Sequence, residues 1–124
     1  MMKKIHILYV LVFLMGTSCF AQEKLITKAN EKYDEYSFSP AIDIYKKVLD
    51  RGYVSADLLK KLGNSYYYNA DYEDASKTYK RLVDEYPGEI GPEYYFRYAQ
   101  TLKTLEEYDA SKEVMGKFLE ATSE

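Results

Sequence analysis

Histidine and cysteine are nearly absent from this chain of 124 residues, which holds one of each, His6 and Cys19, both in its first twenty-one positions. Beyond that point there is no imidazole to act as general base, no thiol nucleophile and no usual ligand for a transition metal. A disulfide framework is excluded with them. Carboxylate pairs occur at Glu73-Asp74, Asp84-Glu85 and Glu106-Glu107, but neighbours on a helix point in different directions and read as solvated faces, not shared sites. No phosphate-cradling glycine loop, calcium loop or serine elbow is present. The expectation is therefore no enzymatic activity, no cofactor and no metal.

Long apolar runs are also missing. The longest, Ile7 to Met15, is nine residues, against the roughly 20 that a membrane-spanning helix needs. With Lys3 and Lys4 before it and Gly16-Thr17-Ser18-Cys19-Phe20-Ala21 after it, the run has the layout of a cleavable signal peptide over residues 1–21. The expected cut follows Ala21 and leaves Gln22 first. Gly16-Thr17-Ser18-Cys19 is also similar to a bacterial lipobox, so lipidation at Cys19 stands as the alternative. Export places the protein in the periplasm or at the outer-membrane periphery. It removes two lysines and no acid, leaving 15 basic and 20 acidic residues, net −5. Such a field argues against nucleic acid or an anionic membrane as partner. No transmembrane helix is expected in the mature 103 residues.

What is present repeats. Small residues at Ala29, Gly63 and Ala99 are each followed twelve positions later by another, Ala41, Ala75 and Ser111, and the copies are spaced by 34 and then 36 residues. Aromatics recur nine after the first small residue (Phe38, Tyr72, Tyr108), and bulky groups sixteen after it (Tyr45, Tyr79, Met115). Such a period is that of a helix-turn-helix unit that buries its apolar faces only by stacking on copies of itself. No period-two alternation survives, so strands are not expected. The middle copy, Leu59, Leu62, Gly63, Tyr66, Tyr72, Ala75, Tyr79, Leu82, Pro87, closely resembles the tetratricopeptide repeat. The outer copies depart from it at Lys28, Lys32, Tyr53 and Ser111. The resemblance implies an all-α fold of three hairpins, about 22–53, 56–89 and 92–121, stacked as a short right-handed α-solenoid, with a tail at 122–124.

Punctuation predicts six helices. Ser39-Pro40 is read as opening the second and Gly52 as closing it, Asp71 as capping the fourth with Asp74 three residues on, and Pro92 as opening the fifth. The 36-residue step is ascribed to the longer connection between Tyr86-Pro87-Gly88 and Gly91-Pro92. Glycine costs a helix about 1 kcal/mol relative to alanine, so Gly63 should sit where two helices approach closely.

Tyrosine is abundant, with fifteen residues. Tyr33, Tyr45, Tyr53, Tyr66, Tyr72, Tyr79, Tyr95, Tyr98 and Tyr108 fall on or beside positions that the repeat buries. Tyr67 and Tyr68 follow Tyr66 at about 100° per residue, so at least one should face outward. In the resembled family the first helices line a concave groove. By that resemblance the groove positions are Asn30, Tyr33, Lys60, Asn64, Tyr67, Tyr68, Arg97, Gln100 and Lys103, a set suited to capture of a protein or peptide. Lys60, Asn64 and Arg97 look like part of a clamp for a terminal carboxylate, with a solvated basic patch as the plain alternative.

Helix six carries Val114, Met115, Phe118 and Leu119, some of which are expected to face the place where a further helix would stack. Arrays of this kind normally end in a polar cap, so a partner is expected to cover this end, or the chain to be the front of something longer. The leader with Phe20-Ala21-Gln22-Glu23, together with Lys61–Tyr68 and Tyr94–Leu102, resembles the opening of flavobacterial (Bacteroidetes) OmpA-family outer-membrane proteins. The overall expectation is an exported scaffold for protein–protein interaction in the bacterial envelope. Its alternative is the N-terminal segment of an OmpA-type peptidoglycan-associated protein acting as a docking module.

Overall fold

Six α-helices follow one another along the chain: α1 (Met2–Asp34), α2 (Phe38–Asp50), α3 (Ala56–Tyr68), α4 (Tyr72–Glu85), α5 (Pro92–Thr104) and α6 (Tyr108–Thr122), with one 3₁₀ turn at Pro87–Glu89. The computed structural model describes residues 2–123, without the side chains of 2, 3 and 11–18. The side chains of the expected leader run from Leu11 through Gly16-Thr17-Ser18, and tail residue Glu124, thus lie outside the described residues. Among the described residues no strand occurs, and no helix is long and apolar enough to cross a membrane.

Consecutive helices pair as hairpins, α1 with α2, α3 with α4 and α5 with α6, and α2 meets α3 as α4 meets α5. The odd helices also touch one another, α1 with α3 and α3 with α5. They therefore form one continuous face, with the even helices behind it. α1 runs unbroken through Ala21 and Gln22, so no change of structure marks the expected cut. Its packed part starts further on, where Leu25, Ile26 and Ala29 meet the core.

All three hairpin turns are built the same way, and not as the sequence leads one to expect. α1, α3 and α5 end in a residue held in the left-handed region, Tyr36 (φ 60°), Ala70 (φ 60°) and Glu106 (φ 62°). At each, two backbone bonds close the helix end: Tyr36 and Ser37 N–H to the carbonyls of Tyr33 and Lys32, Ala70 and Asp71 to Tyr67 and Tyr66, Glu106 and Glu107 to Lys103 and Leu102, all at 2.8–3.1 Å. This is the Schellman arrangement. The residue after the left-handed one, Ser37, Asp71 or Glu107, is at once the N-cap of the next helix, with ψ of 72°, 70° and 67° and no side-chain cap bond.

Two expected caps are corrected by this geometry. Helix α2 starts two residues before Pro40, which occupies its third position, where a missing N–H is still harmless. Asp71 holds the cap position by backbone alone, with no side-chain hydrogen bond to the first-turn amides. The serine that does cap is Ser55, whose Oγ accepts from the Leu58 N–H at 3.1 Å. Gly52 closes α2 as expected, at φ 88°, and Pro92 opens α5.

The core is carried by the first two hairpins. Tyr45, Val48, Leu58, Leu59, Tyr79 and Leu82 are essentially sealed, and Ala29, Ala41, Ala75 and Ala99 are fully buried. A Cβ on Gly63 would lie 2.7 Å and 2.8 Å from the ring carbons of Tyr79. The glycine is there because that ring lies across it. In the third hairpin only Tyr98, Ala99, Thr101, Leu102 and Val114 are buried, and Ser111 is half-buried. Tyr53 and Tyr108, expected in the core, are 40 % and 56 % exposed, since both fall at helix boundaries outside the packed turns.

Candidate binding face

The face made by α1, α3 and α5 is organised around Asn64. Its side-chain oxygen accepts from the Tyr79 hydroxyl at 2.8 Å and from Arg97 Nη1 at 3.3 Å, and its amide donates to the Tyr33 hydroxyl at 3.1 Å. One residue thereby joins three hairpins. The first hairpin has a smaller version, in which the Tyr45 hydroxyl donates to Asn30 Oδ1 at 2.6 Å. Buried hydroxyls of Ser65, Thr78 and Thr101 donate to carbonyls one turn back. Among the described residues no buried side-chain polar atom is left without a partner.

This corrects the role of Asn64. It is 4 % exposed, and its hydrogen-bonding capacity is taken up inside the protein, so offering it to a ligand would leave buried groups unpaired at about 1–3 kcal/mol. Asn30 is likewise engaged with Tyr45. What the face presents instead is cationic and aromatic. The Lys60 ammonium stands 5.4 Å from the centre of the Tyr94 ring, and the Arg97 guanidinium 5.5 Å from Tyr94 and 5.9 Å from Tyr68, within the range of cation–π attraction. Among the described residues neither cation has a carboxylate within 4.0 Å; the four ion pairs are Lys32–Glu35, Lys61–Asp57, Lys80–Asp84 and Arg81–Glu85. Asp84 and Glu85, one of the adjacent carboxylate pairs, are thus spent on helix-surface pairs.

Tyr94 belongs to this site and was not among the residues expected there. Burial holds its phenol above the ordinary range, with Asn64 and Arg97 offsetting part of the rise. The sequence signal for it was its place at the start of α5, three residues before Arg97, on the same face. Of the expected pair, Tyr68 is the outward one, 51 % exposed, whereas Tyr67 packs against the core and meets Tyr72 edge-on at 6.1 Å. The structure thus brings together Tyr33, Lys60, Asn64, Tyr68 and Arg97. Gln100, half-buried, and Lys103, exposed, lie further along α5, and no hydrogen bond or ring contact joins their side chains to the cluster among the described residues.

At the other end of the array Val114 is buried and faces inward, which removes it from the expected open surface. Met115 also packs on the core. The surface that remains consists of Leu119, 60 % exposed, and Phe118, whose ring meets that of Phe96 at 5.5 Å and a tilt of 54°, Phe96 itself being 41 % exposed.

Models of the tetratricopeptide repeat match residues 58–88 and 92–124. The chain carries tetratricopeptide repeats. The first hairpin shares the turn geometry of both matched ones and the Asn–Tyr bond of the second hairpin. Among solved structures, the tetratricopeptide domain of Sgt2 from Aspergillus fumigatus is similar over 83 % of this chain and 67 % of that one, with TM-score 0.66 and 20 % identity. At that identity the likeness is one of fold. No curated protein matches the chain significantly. Repeats of this kind make protein–protein interaction scaffolds, and half-buried Lys60, Tyr94 and Arg97 with exposed Tyr68 form the candidate surface here.

Proposed function

We propose that the protein is an exported, non-catalytic scaffold of the bacterial envelope that captures a partner through an acidic peptide segment laid on the α1–α3–α5 face. The observation that carries this reading is the pair of cations, Lys60 and Arg97, set over tyrosine rings with no carboxylate within 4.0 Å among the described residues. A cation already ordered by its own structure loses little entropy on meeting an anion. A carboxylate would meet Lys60 and Arg97, with Asn64 behind them as the brace that orients Arg97. Export rests on the signal-like leader, and intact-mass measurement of the mature protein distinguishes a cut after Ala21 from lipidation at Cys19. The test of the face is fluorescence anisotropy of the full chain with a labelled peptide ending in Glu-Glu and its Gln-Gln-amide counterpart. The acidic peptide should bind at least about ten-fold tighter, and Lys60→Ala with Arg97→Ala should abolish the difference. Equal binding of both peptides by the wild type refutes the reading.

A second reading is favoured by Phe96, Phe118 and Leu119, an apolar patch at the end of the array. Here the segment is a structural module, as in an OmpA-type protein, that docks end-on to another subunit. Phe118→Asp should then abolish partner capture, while the double cation variant leaves it unchanged.

A further inference from the structure

We propose that the cleft beside the basic site, lined by Tyr33, Asp34, Tyr36, Phe38 and Tyr68, receives the arginine or lysine side chain of the same bound peptide. The inference deepens the reading of the α1–α3–α5 face as a peptide groove and rests on it. The cleft has a volume of about 540 Å³. Aromatic rings line it: Phe38 is stacked on Tyr68 at 5.2 Å, and Tyr33 and Tyr36 meet Phe38 edge-on at 5.9 Å and 6.1 Å. Aromatic faces alone would take any flat apolar group. Here the charges select, because Asp34 opens onto the cleft and among the described residues is in no ion pair, while the nearby Lys32 is held by Glu35 at 3.5 Å. The cleft also sits at the carboxyl end of α1, where the helix dipole favours positive charge. Rings, a free carboxylate and a helix C-terminus all point to a cation.

The backbone supplies a further indication. Tyr36 is 81 % exposed and held at φ 60°, a conformation that disfavours any side chain with a Cβ. A large aromatic kept there without burial is explained by what its ring does at the cleft. The repeats provide the control. The corresponding positions one repeat later are Tyr67, Tyr68, Ala70, Tyr72 and Thr104, which lack both the carboxylate and the exposed ring at the left-handed residue. The fold therefore requires neither. Tyr68 meets both Arg97 and Phe38, so the two subsites suit a basic and an acidic residue about three positions apart in a polyproline-II peptide, which rises about 3.1 Å per residue and returns to the same face every third residue.

The test uses the full chain and two labelled hexapeptides that differ only in arginine against citrulline, three residues before a C-terminal glutamate. Citrulline keeps the shape and loses the charge. The arginine peptide should bind about five-fold tighter or better, and the preference should fall below about two-fold in Tyr36→Gly and in Asp34→Asn. Tyr36→Gly relieves the backbone and should melt no lower than wild type, so lost selectivity in it is not lost folding. Equal binding of the two peptides by the wild type, or a preference that survives both variants, overturns the proposal. The two readings fail separately. If Lys60→Ala with Arg97→Ala leaves binding intact while Tyr36→Gly removes the arginine preference, the cleft stands and the acidic subsite falls. If neither peptide binds, both fall.

Discussion

In the first two hairpins a tyrosine of the second helix donates its hydroxyl to the asparagine beside the small residue of the first, Tyr45 to Asn30 and Tyr79 to Asn64. In the third, Met115 and Gln100 stand at those places, and the hairpin is tied instead by Ser111 Oγ donating to the Ala99 carbonyl at 2.8 Å. A thioether cannot donate, so the pair changes at both ends together. The consequence reaches the candidate binding face. In hairpin two the Tyr79 bond fixes Asn64, which then holds Arg97 and Tyr33; hairpin three has no comparable hub and contributes its cation to that of its neighbour.

The largest effect that separates the two kinds of hairpin should appear in alkali. Burial raises the Tyr45 and Tyr79 phenols well above the ordinary value near 10, raises Tyr66 to about 12, and lifts Tyr94 and Tyr98 in the same direction. Above pH 10 the unfolded chain releases these protons while the folded chain retains them, so stability is intact below pH 10 and falls as pH rises towards 12. Each such group contributes a slope of up to about 1.4 kcal/mol per pH unit. Urea unfolding between pH 9 and 11 should show this decline. Tyr45→Phe should make it shallower and Met115→Leu should leave it unchanged; identical slopes in all three would mean that the buried phenols ionise in place.

Glycines offer a second contrast. Gly63 faces the Tyr79 ring at 2.7 Å from a would-be Cβ, whereas Gly116, within α6, has nothing within 4 Å. Gly63→Leu should cost about 1–3 kcal/mol by overpacking, and even Gly63→Ala should destabilise in spite of alanine's better helix propensity. Gly116→Ala has no ring to displace and should gain up to about 1 kcal/mol. Thermal melts of the three variants decide the matter: a Gly63→Leu protein with an unaltered midpoint would show that the small-residue register has been misread.

Much of this architecture is legible in the sequence because small residues at fixed spacing have a steric cause. Gly63 and Ala29, Ala41, Ala75 and Ala99 identify the helix crossings before any coordinates do. The turns are not legible, since glycine or asparagine, the residues that usually take a left-handed helix end, stand at that position in none of the three, and Tyr36, Ala70 and Glu106 hold it instead. The candidate binding face is legible in outline only. The resemblance to the tetratricopeptide groove places Lys60, Tyr68 and Arg97 on one side, but it does not distinguish an asparagine offered to a ligand from one consumed by its own fold. The signal for that distinction lay in the fifteen-residue spacing of Asn30 to Tyr45 and Asn64 to Tyr79, matched by the joint change to Gln100 and Met115.

The smallest expected effect concerns those turns. Ala70 pays the left-handed penalty without a side chain that does anything evident for it, unlike Tyr36 at its cleft. Ala70→Gly removes a Cβ clash of about 1–2 kcal/mol and adds about 0.4–1 kcal/mol of freedom to the unfolded chain, so a net gain of about 0.5–1 kcal/mol is expected. Gly52, at φ 88° after α2, is the mirror case, and Gly52→Ala should lose a similar amount. Chemical denaturation of the pair reads both signs at once. If Ala70→Gly brings no gain while Gly52→Ala still costs, the hairpin turn must relax its backbone in solution, and the shared geometry of the three turns would then be imposed by the stacking of the hairpins, not by local conformation.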